Sequence, residues 1–478
     1  MKLVYNVDAK PRDIGYGKVA VFALQQMLAI LAATIAVPAI IGNGMSQSAA
    51  LFGAGVGTLV YLLFTRFKSP VFLGSSFAFL GSMGVAFAGA YANTVAGYTG
   101  LLLGAIFAGL VYVAIALITK FAGVKWISKL MPAVVVGPTV AIIGLSLAGN
   151  AVKDAVGGTN GLNYVSWNAD SSSWIMNTKG VLCLVCALIT LATVIFCSVF
   201  GKKMMKMIPF ILGILAGYIV ATILTVIGIA TNNETLQLVN FSLFKTMDWV
   251  PDFTFIKAFK GFRDLTPAYF GTIAVAYIPV AFVVFAEHLA DHKNISSIIE
   301  KDLLEDPGLS NTLLGDGVGS IAGAFFGGCP NTTYGESIGC VAISGNASVV
   351  TIFVTACMAI IASFLAPFVT FLATIPSCVM GGVCISLYGF IAVSGLKMIQ
   401  KADLGDNRNL FTVSVILITG IGGMALTFGK VTITSIACAL ILGILTNLLL
   451  NCGKKADAKT SDEEETEKVA SEKTDDAE

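Results

Sequence analysis

Charge is what this chain has least of. Only 12% of its 478 residues are Asp, Glu, Lys or Arg, and 56% are hydrophobic, whereas soluble domains carry about 25% charged residues. That excludes an ordinary cytosolic enzyme. Histidine is scarcer still: His288 and His292 are the only two, too few for a three-His metal site. No Lys or Arg falls inside the long apolar stretches, which argues against a permanently anionic cargo. No nucleophile–base pair or metal-ligand set appears, so neither catalysis nor a cofactor is expected. Ten cysteines are present, nearly all in apolar stretches where a thiol acts as a small apolar group. Cys183 and Cys186 form a C-x-x-C without a second pair or a nearby His, which predicts neither redox nor metal chemistry. The first 18 residues lack the apolar core and cleavage site of a secretory signal, so the first helix is expected to be retained.

Apolar length, by contrast, is abundant. Residues 19–65, 69–119, 130–152, 180–201, 207–233, 265–286, 409–429 and 431–453 contain no charged side chain, and 317–396 contains only Glu336. A helix needs about 20 apolar residues to cross a bilayer. These stretches therefore predict about fourteen transmembrane spans and an all-α polytopic membrane protein. Lys and Arg favour cytoplasmic loops; with the N-terminus inside, that side receives 22 of the 29 basic residues, and an odd number of spans would spoil the bias. Both termini are expected to be cytoplasmic, in a multi-pass protein of the cytoplasmic membrane. Residues 453–478 turn to Lys, Glu, Asp, Ser and Thr, a composition unable to bury a core, and are expected to be a disordered acidic tail.

A polar loop at about 231–264 divides the chain near its middle, with seven spans on either side. Since seven is odd, the second half must run inverted, which predicts a 7+7 inverted repeat. A local echo supports the symmetry: Ser69-Pro70-Val71-Phe72-Leu73-Gly74-Ser75-Ser76-Phe77 in span 3 and Cys329-Pro330-Asn331-Thr332-Thr333-Tyr334-Gly335-Glu336 in span 10. In each, Pro opens an extended stretch and a Gly follows, predicting a short strand that leads into a half-helix. Irregular backbone at membrane depth is tolerated where it lines a cavity or is buried in protein, and half-helix N-termini supply N–H groups and a positive dipole end. Gly and Pro kinks for close helix packing are the alternative.

Glu336 is the charge that needs a reason, because a carboxylate near the bilayer centre costs about 2.5–3.5 kcal/mol on insertion scales. It suits a substrate or proton site; a structural hydrogen bond between helices is the plainer option. Glu287 closes the charge-free run 265–286 within Phe285-Ala286-Glu287-His288-Leu289-Ala290-Asp291-His292. Helical spacing puts Glu287 and Asp291 on one face and His288 and His292 on the adjacent one, the arrangement a proton relay requires, or else simply the polar end of a span. Two carboxyls with half-helix N–H groups complement a small neutral planar molecule bearing N–H and C=O groups on its edge.

The segments Ala286-Glu287-His288, Lys301-Asp302-Leu303-Leu304-Glu305-Asp306-Pro307-Gly308-Leu309, Pro330-Asn331-Thr332-Thr333-Tyr334-Gly335-Glu336, Val379-Met380-Gly381-Gly382 and Leu73-Gly74-Ser75-Ser76-Phe77-Ala78-Phe79 resemble the uracil-permease branch of the nucleobase-ascorbate transporter family. The resemblance runs over nearly the whole chain up to the tail. It implies a cytoplasmic N-terminal segment (1–18), a core domain (19–122, spans 1–4, and 236–372, spans 8–11) and a gate domain (123–235, spans 5–7, and 373–452, spans 12–14). It implies uracil held between the half-helices by Glu287 and Glu336, by the backbone at Phe77 and Gly335, and by Ala33 and the Phe77 ring, with Tyr388 closing from the gate side. Proton symport involving Glu287, Asp291, His292 and Glu336 is implied too, as is a homodimer in membrane lipid with no nucleic-acid partner. Two departures stand out: Asp291 occupies a place often held by His, with His292 one residue later, and Ser337 stands where an Asn is usual, which predicts some drift in pyrimidine specificity. A purine or xanthine transporter of the same family, and an anion transporter or channel on the same architecture, are the competing expectations.

Overall fold

The computed structural model describes residues 3–90, 94–123, 130–158, 165–168, 172–202, 204–245, 247–400, 402–428 and 431–452; the acidic tail expected at 453–478 lies outside them. The apolar stretches are helical, as they must be in lipid, where every backbone N–H and C=O needs a partner within the segment. Among the described residues, eight helices are long and apolar enough to cross a bilayer, or nine if the pair Val349–Ser363 and Ala366–Ala373, bent by 82°, counts as one. This is a multi-pass membrane protein. Helix length alone reaches fewer crossings than the expected fourteen, because several apolar stretches are broken into short pieces such as Phe77–Gly89, Asn407–Ile421 and Ser435–Asn451.

Two bundles share the helices. In one, Tyr16–Ile41, Gln47–Phe64, Thr94–Ala122, Pro267–Ile299, Leu309–Gly327 and Val349–Ser363 pack on one another. In the other, Ala133–Ser146, Thr178–Phe200, Pro209–Ala230, Ser377–Ile399, Asn407–Ile421 and Ser435–Cys452 do so. Without a hydrophobic drive between helices in lipid, close association relies on small residues that let backbones approach. Gly53 shows the tightness: a Cβ there would stand 2.3 Å from the Gly323 carbonyl oxygen.

The chain between the bundle helices is also organised. The N-terminal segment is pinned to one end of the first bundle, where Val4 N–H donates to the Gly345 carbonyl (2.8 Å), Ala347 N–H donates to that of Tyr5 (2.8 Å), and Lys301 pairs with Asp8. Lys68 and Asp306 pair at 2.6 Å. At another edge Lys257 donates to the Gly44 carbonyl (3.2 Å) and lies 4.7 Å from the centre of the Tyr98 ring.

In the first bundle, the strands Leu73–Ser75 and Asn331–Thr333 pair antiparallel, with Leu73 opposite Thr333 and Ser75 opposite Asn331. Backbone bonds extend the pairing at both ends, from Ser76 N–H to the Pro330 carbonyl and from Tyr334 N–H to that of Phe72. Each strand runs directly into a helix, a 3₁₀ turn Phe77–Phe79 continuing as Leu80–Gly89 in one case and Gly335–Ser344 in the other.

Candidate functional site

The Pro-Asn-Thr-Thr-Tyr-Gly-Glu run resolves residue by residue into parts of a site. Asn331 donates to the Gly53 carbonyl (3.1 Å) and occupies room left by Gly57 and Gly323, where a Cβ would lie 2.4 and 2.1 Å from its amide nitrogen. Thr333 donates to Asp291 Oδ2 (2.7 Å). The Tyr334 hydroxyl donates to the Ser75 carbonyl (2.8 Å), and its ring lies over Gly74, where a Cβ would come within 2.4 Å. Gly335 has nothing within 4 Å of the place its Cβ would occupy. It opens the half-helix bare, so the first-turn amides, which have no partner within the helix, meet the cavity with the positive end of the dipole.

That cavity, of about 360 Å³, lies between the bundles, at the lower end of the roughly 300–1,000 Å³ typical of small-molecule sites. The first bundle contributes Ala29, Phe77, Glu287, Asp291, Gly335 and Glu336; the second contributes Val140, Ile143, Leu387, Phe390 and Ile391. Glu287, Asp291 and Glu336 are half-buried, so three carboxyls meet one largely apolar space. Helix Pro267–Ile299 carries two of them because residues four apart share a face. Lys206 is the one basic side chain on this wall among the described residues, and it is exposed.

The structure sorts the expected site residues. Phe77, Glu287, Asp291, Gly335 and Glu336 line the cavity. Ala33 does not; Ala29, one helical turn earlier, does. Tyr388 stands behind the wall, edge-on to Phe77 with ring centroids 5.8 Å apart. His292, expected either in the relay or at a polar helix end, is fully buried and faces away from the cavity. Its Nδ1 lies 2.8 Å from the His288 carbonyl oxygen and its Nε2 2.7 Å from the Tyr61 hydroxyl, so a neutral His292 carries its proton on Nδ1 and accepts from Tyr61.

Ser337 is not a wall residue either. It is buried behind the half-helix, where Gln26 donates to its carbonyl (3.1 Å) and contacts its hydroxyl, and the Phe72 N–H donates to its Oγ (3.2 Å). Its role here is to tie the strand crossing to helix Tyr16–Ile41.

Sequence reasoning missed Asp316. It is 1% exposed, its Oδ2 lies 2.7 Å from His288 Nδ1, and its Oδ1 has no partner among the described residues. Thr312 completes the contacts of the imidazole at 3.1 Å from Nε2, and the two histidine rings stack at 3.9 Å. A signal existed: Asp316 sits between two glycines well inside an otherwise uncharged helix, and counting the charge-free run from residue 317 hid it at the boundary.

Broken helices meeting at a carboxyl-lined cavity between two bundles in the membrane are the build of a transporter rather than an enzyme. The chain belongs to the family described as "Permease family", whose model matches residues 17–428. It is 36% identical over 472 residues to a uracil permease of Bacillus caldolyticus, covering 98% of this chain and 100% of that one. It is 37% identical over 448 residues to the uracil permease of Bacillus subtilis, covering 92% and 94%. In fold it is similar to the transmembrane domain of a cyanobacterium bicarbonate transporter, BicA, with a TM-score of 0.59 and 15% identity over 94% of this chain and 100% of that one.

Proposed function

We propose that this protein imports uracil across the cytoplasmic membrane together with a proton. The observation that carries the reading is the convergence of Glu287, Asp291 and Glu336 on a cavity that also receives two half-helix N-termini. Uracil presents N–H donors and C=O acceptors along one edge. Glu287 and Glu336 accept from the donors, the amides at Phe77 and Gly335 donate to the carbonyls, and the Phe77 ring packs on the base face. Asp291, held by Thr333 one turn from Glu287, takes the coupling proton. The relatives named as uracil permeases support uracil over xanthine or another purine, and uptake resistant to excess xanthine is the expected result.

The two-bundle packing supports alternating access, read as a core domain (19–122 and 236–372) moving against a gate domain (123–235 and 373–452). The short broken helices then count as half-spans of a fourteen-span, 7+7 inverted repeat with both termini cytoplasmic, working as a homodimer. The energetics suffice: a proton crossing about 100 mV supplies about 2.3 kcal/mol, enough for roughly fifty-fold accumulation.

The test is uptake of labelled uracil into proteoliposomes under an imposed inward proton gradient, with and without a protonophore, for wild type and Glu336→Gln. Accumulation that the protonophore collapses and the substitution removes is expected. Uptake that only equilibrates would remove proton coupling, and no uracil uptake would remove the substrate.

A further inference from the structure

The two elements that the N-terminal segment joins are the two that carry the cavity carboxyls. Helix Pro267–Ile299 bears Glu287 and Asp291, and half-helix Gly335–Ser344 bears Glu336. Near the cavity Thr333, just ahead of the half-helix, ties them through its bond to Asp291. Residues 4–9 tie their far ends. The Asn6 side chain donates to the Ile299 carbonyl (3.2 Å) and accepts from the Val7 N–H (2.7 Å); a last-turn carbonyl such as that of Ile299 has no partner inside its own helix. Asp8 pairs with Lys301, two residues beyond the helix. The same segment runs beside the exit of the half-helix. The N–H groups of Val4 and Tyr5 both donate to the Gly345 carbonyl (2.8 and 3.1 Å), Ala347 N–H donates to that of Tyr5 (2.8 Å), and the Ser348 hydroxyl donates to that of Ala9 (2.8 Å). Val7 is buried in the apolar core, and the Tyr5 ring stands edge-on to Phe22 of helix Tyr16–Ile41 at 6.2 Å.

The half-helix needs a tie at that end. It is 10 residues long, opens at Gly335 and gives way to Gly345 at φ 68°, and glycine lets the backbone turn at either point. On the cavity side a Cβ at Gly335 or Gly339 would meet nothing within 4 Å. Gln26 holds the first turn through Ser337; the N-terminal segment holds the last. At a rise of 1.5 Å per residue, Gly345 lies about 13 Å from Glu336 and Ile299 about 18 Å from Glu287 along their helices. We propose that residues 4–9 are a positioning strap that fixes the separation of Glu336 from Glu287 and Asp291, and through it the affinity for the cargo. The proposal rests on the reading of those carboxyls as the cargo site. No strap residue lines the cavity, so the strap acts through the two helices it joins. Misplacing a group by about 1 Å from afar can cost about 100-fold, so freeing the far ends weakens binding while every group that touches the cargo is still present.

The experiment compares the full-length protein with Asn6→Ala and with a variant lacking residues 2–9, each checked for folding by gel filtration; if the deletion does not fold, Asn6→Ala carries the test. Amide hydrogen exchange followed by mass spectrometry is read without cargo. Faster exchange is expected over 335–345 and in the last turn of helix Pro267–Ile299, more in the deletion than in Asn6→Ala, with Gln47–Phe64 and Leu309–Gly327 unchanged. Calorimetry with uracil is expected to show binding weakened about ten-fold or more by the deletion and roughly two- to ten-fold by Asn6→Ala, and uptake is expected to show a raised KM at an unchanged maximal rate. Unchanged exchange in the half-helix, or exchange raised evenly through the first bundle, would overturn the proposal. So would a folded variant with a loosened half-helix that binds uracil as tightly as wild type. Wild type that binds no uracil would remove the cargo reading instead, and the exchange pattern would then decide the strap by itself.

Discussion

The two strand–half-helix units stand side by side on the first bundle's side of the cavity, alike in backbone and different in chemistry. Leu73–Ser75 runs into Phe77–Gly89, and Asn331–Thr333 runs into Gly335–Ser344; the strands pair antiparallel and both helix starts open on one space. At matching places the first unit offers the apolar ring of Phe77 and the second the carboxyl of Glu336. Their supports differ as well. The first is held by apolar packing and by Thr58, whose hydroxyl accepts from the Leu73 N–H (2.9 Å). The second is held by polar side chains, Asn331 to Gly53, Thr333 to Asp291 and Tyr334 to Ser75. Repetition builds the crossing, which needs paired backbone at membrane depth, and departure from repetition gives one wall for a planar face and another for a polar edge.

Breaking the polar wall carries the largest expected effect. Glu336→Gln removes a charge-assisted acceptor and is expected to weaken uracil binding by about 1.5–3 kcal/mol, or roughly 10- to 150-fold, measured by calorimetry on the purified protein; Phe77→Leu, in the other unit, is expected to cost less. Equal losses in the two variants would abolish the division of labour between the units.

Where the units touch, Gly74→Ala pushes a methyl to within 2.4 Å of the Tyr334 ring carbons. Overpacking of this kind costs about 1–3 kcal/mol and should lower the thermal midpoint in detergent, while Gly335→Ala, with open space around its Cβ, should leave the midpoint unchanged and impair uptake instead. A smaller effect is expected from Thr333→Val, which deletes one hydrogen bond to Asp291 and should cost about 0.5–1.5 kcal/mol. Uptake assayed across a range of external pH would detect it, and a profile superimposable on wild type would detach Asp291 from coupling.

Lys206→Gln gives the smallest change. The side chain is exposed, and exposed charges contribute about 1 kcal/mol or less, so uracil uptake should fall no more than a few-fold. A collapse of uptake in this variant would favour an anionic cargo.

Much of this was legible in residue order. Long charge-free stretches predict helices in lipid because the bilayer leaves the backbone no other local solution, and Pro–extended–Gly interruptions in two of them mark the strand crossing. Glu336 and the Glu287/Asp291 pair stand out because a carboxyl in an apolar run is costly. Less was legible where the deciding contact is distant in sequence. His292 and Asp291 are neighbours, yet one is buried against Tyr61 and the other bonds Thr333 in the cavity wall. Counting crossings by apolar length and by helix length gives different totals, since a half-helix and a full span have similar composition.

Composition and spacing by themselves determined that the chain enters a membrane, where its helices break, and which carboxyls share a helical face, because hydropathy and helical period are local properties. Tertiary structure alone decided that Asp316 pairs with His288, that Ser337 turns away from the cavity towards Gln26, and that Ala29 rather than Ala33 meets it. Each of these depends on which faces of distant helices are pressed together, and that choice is made by packing small residues at the crossings, a property of pairs of helices that no single stretch of sequence carries.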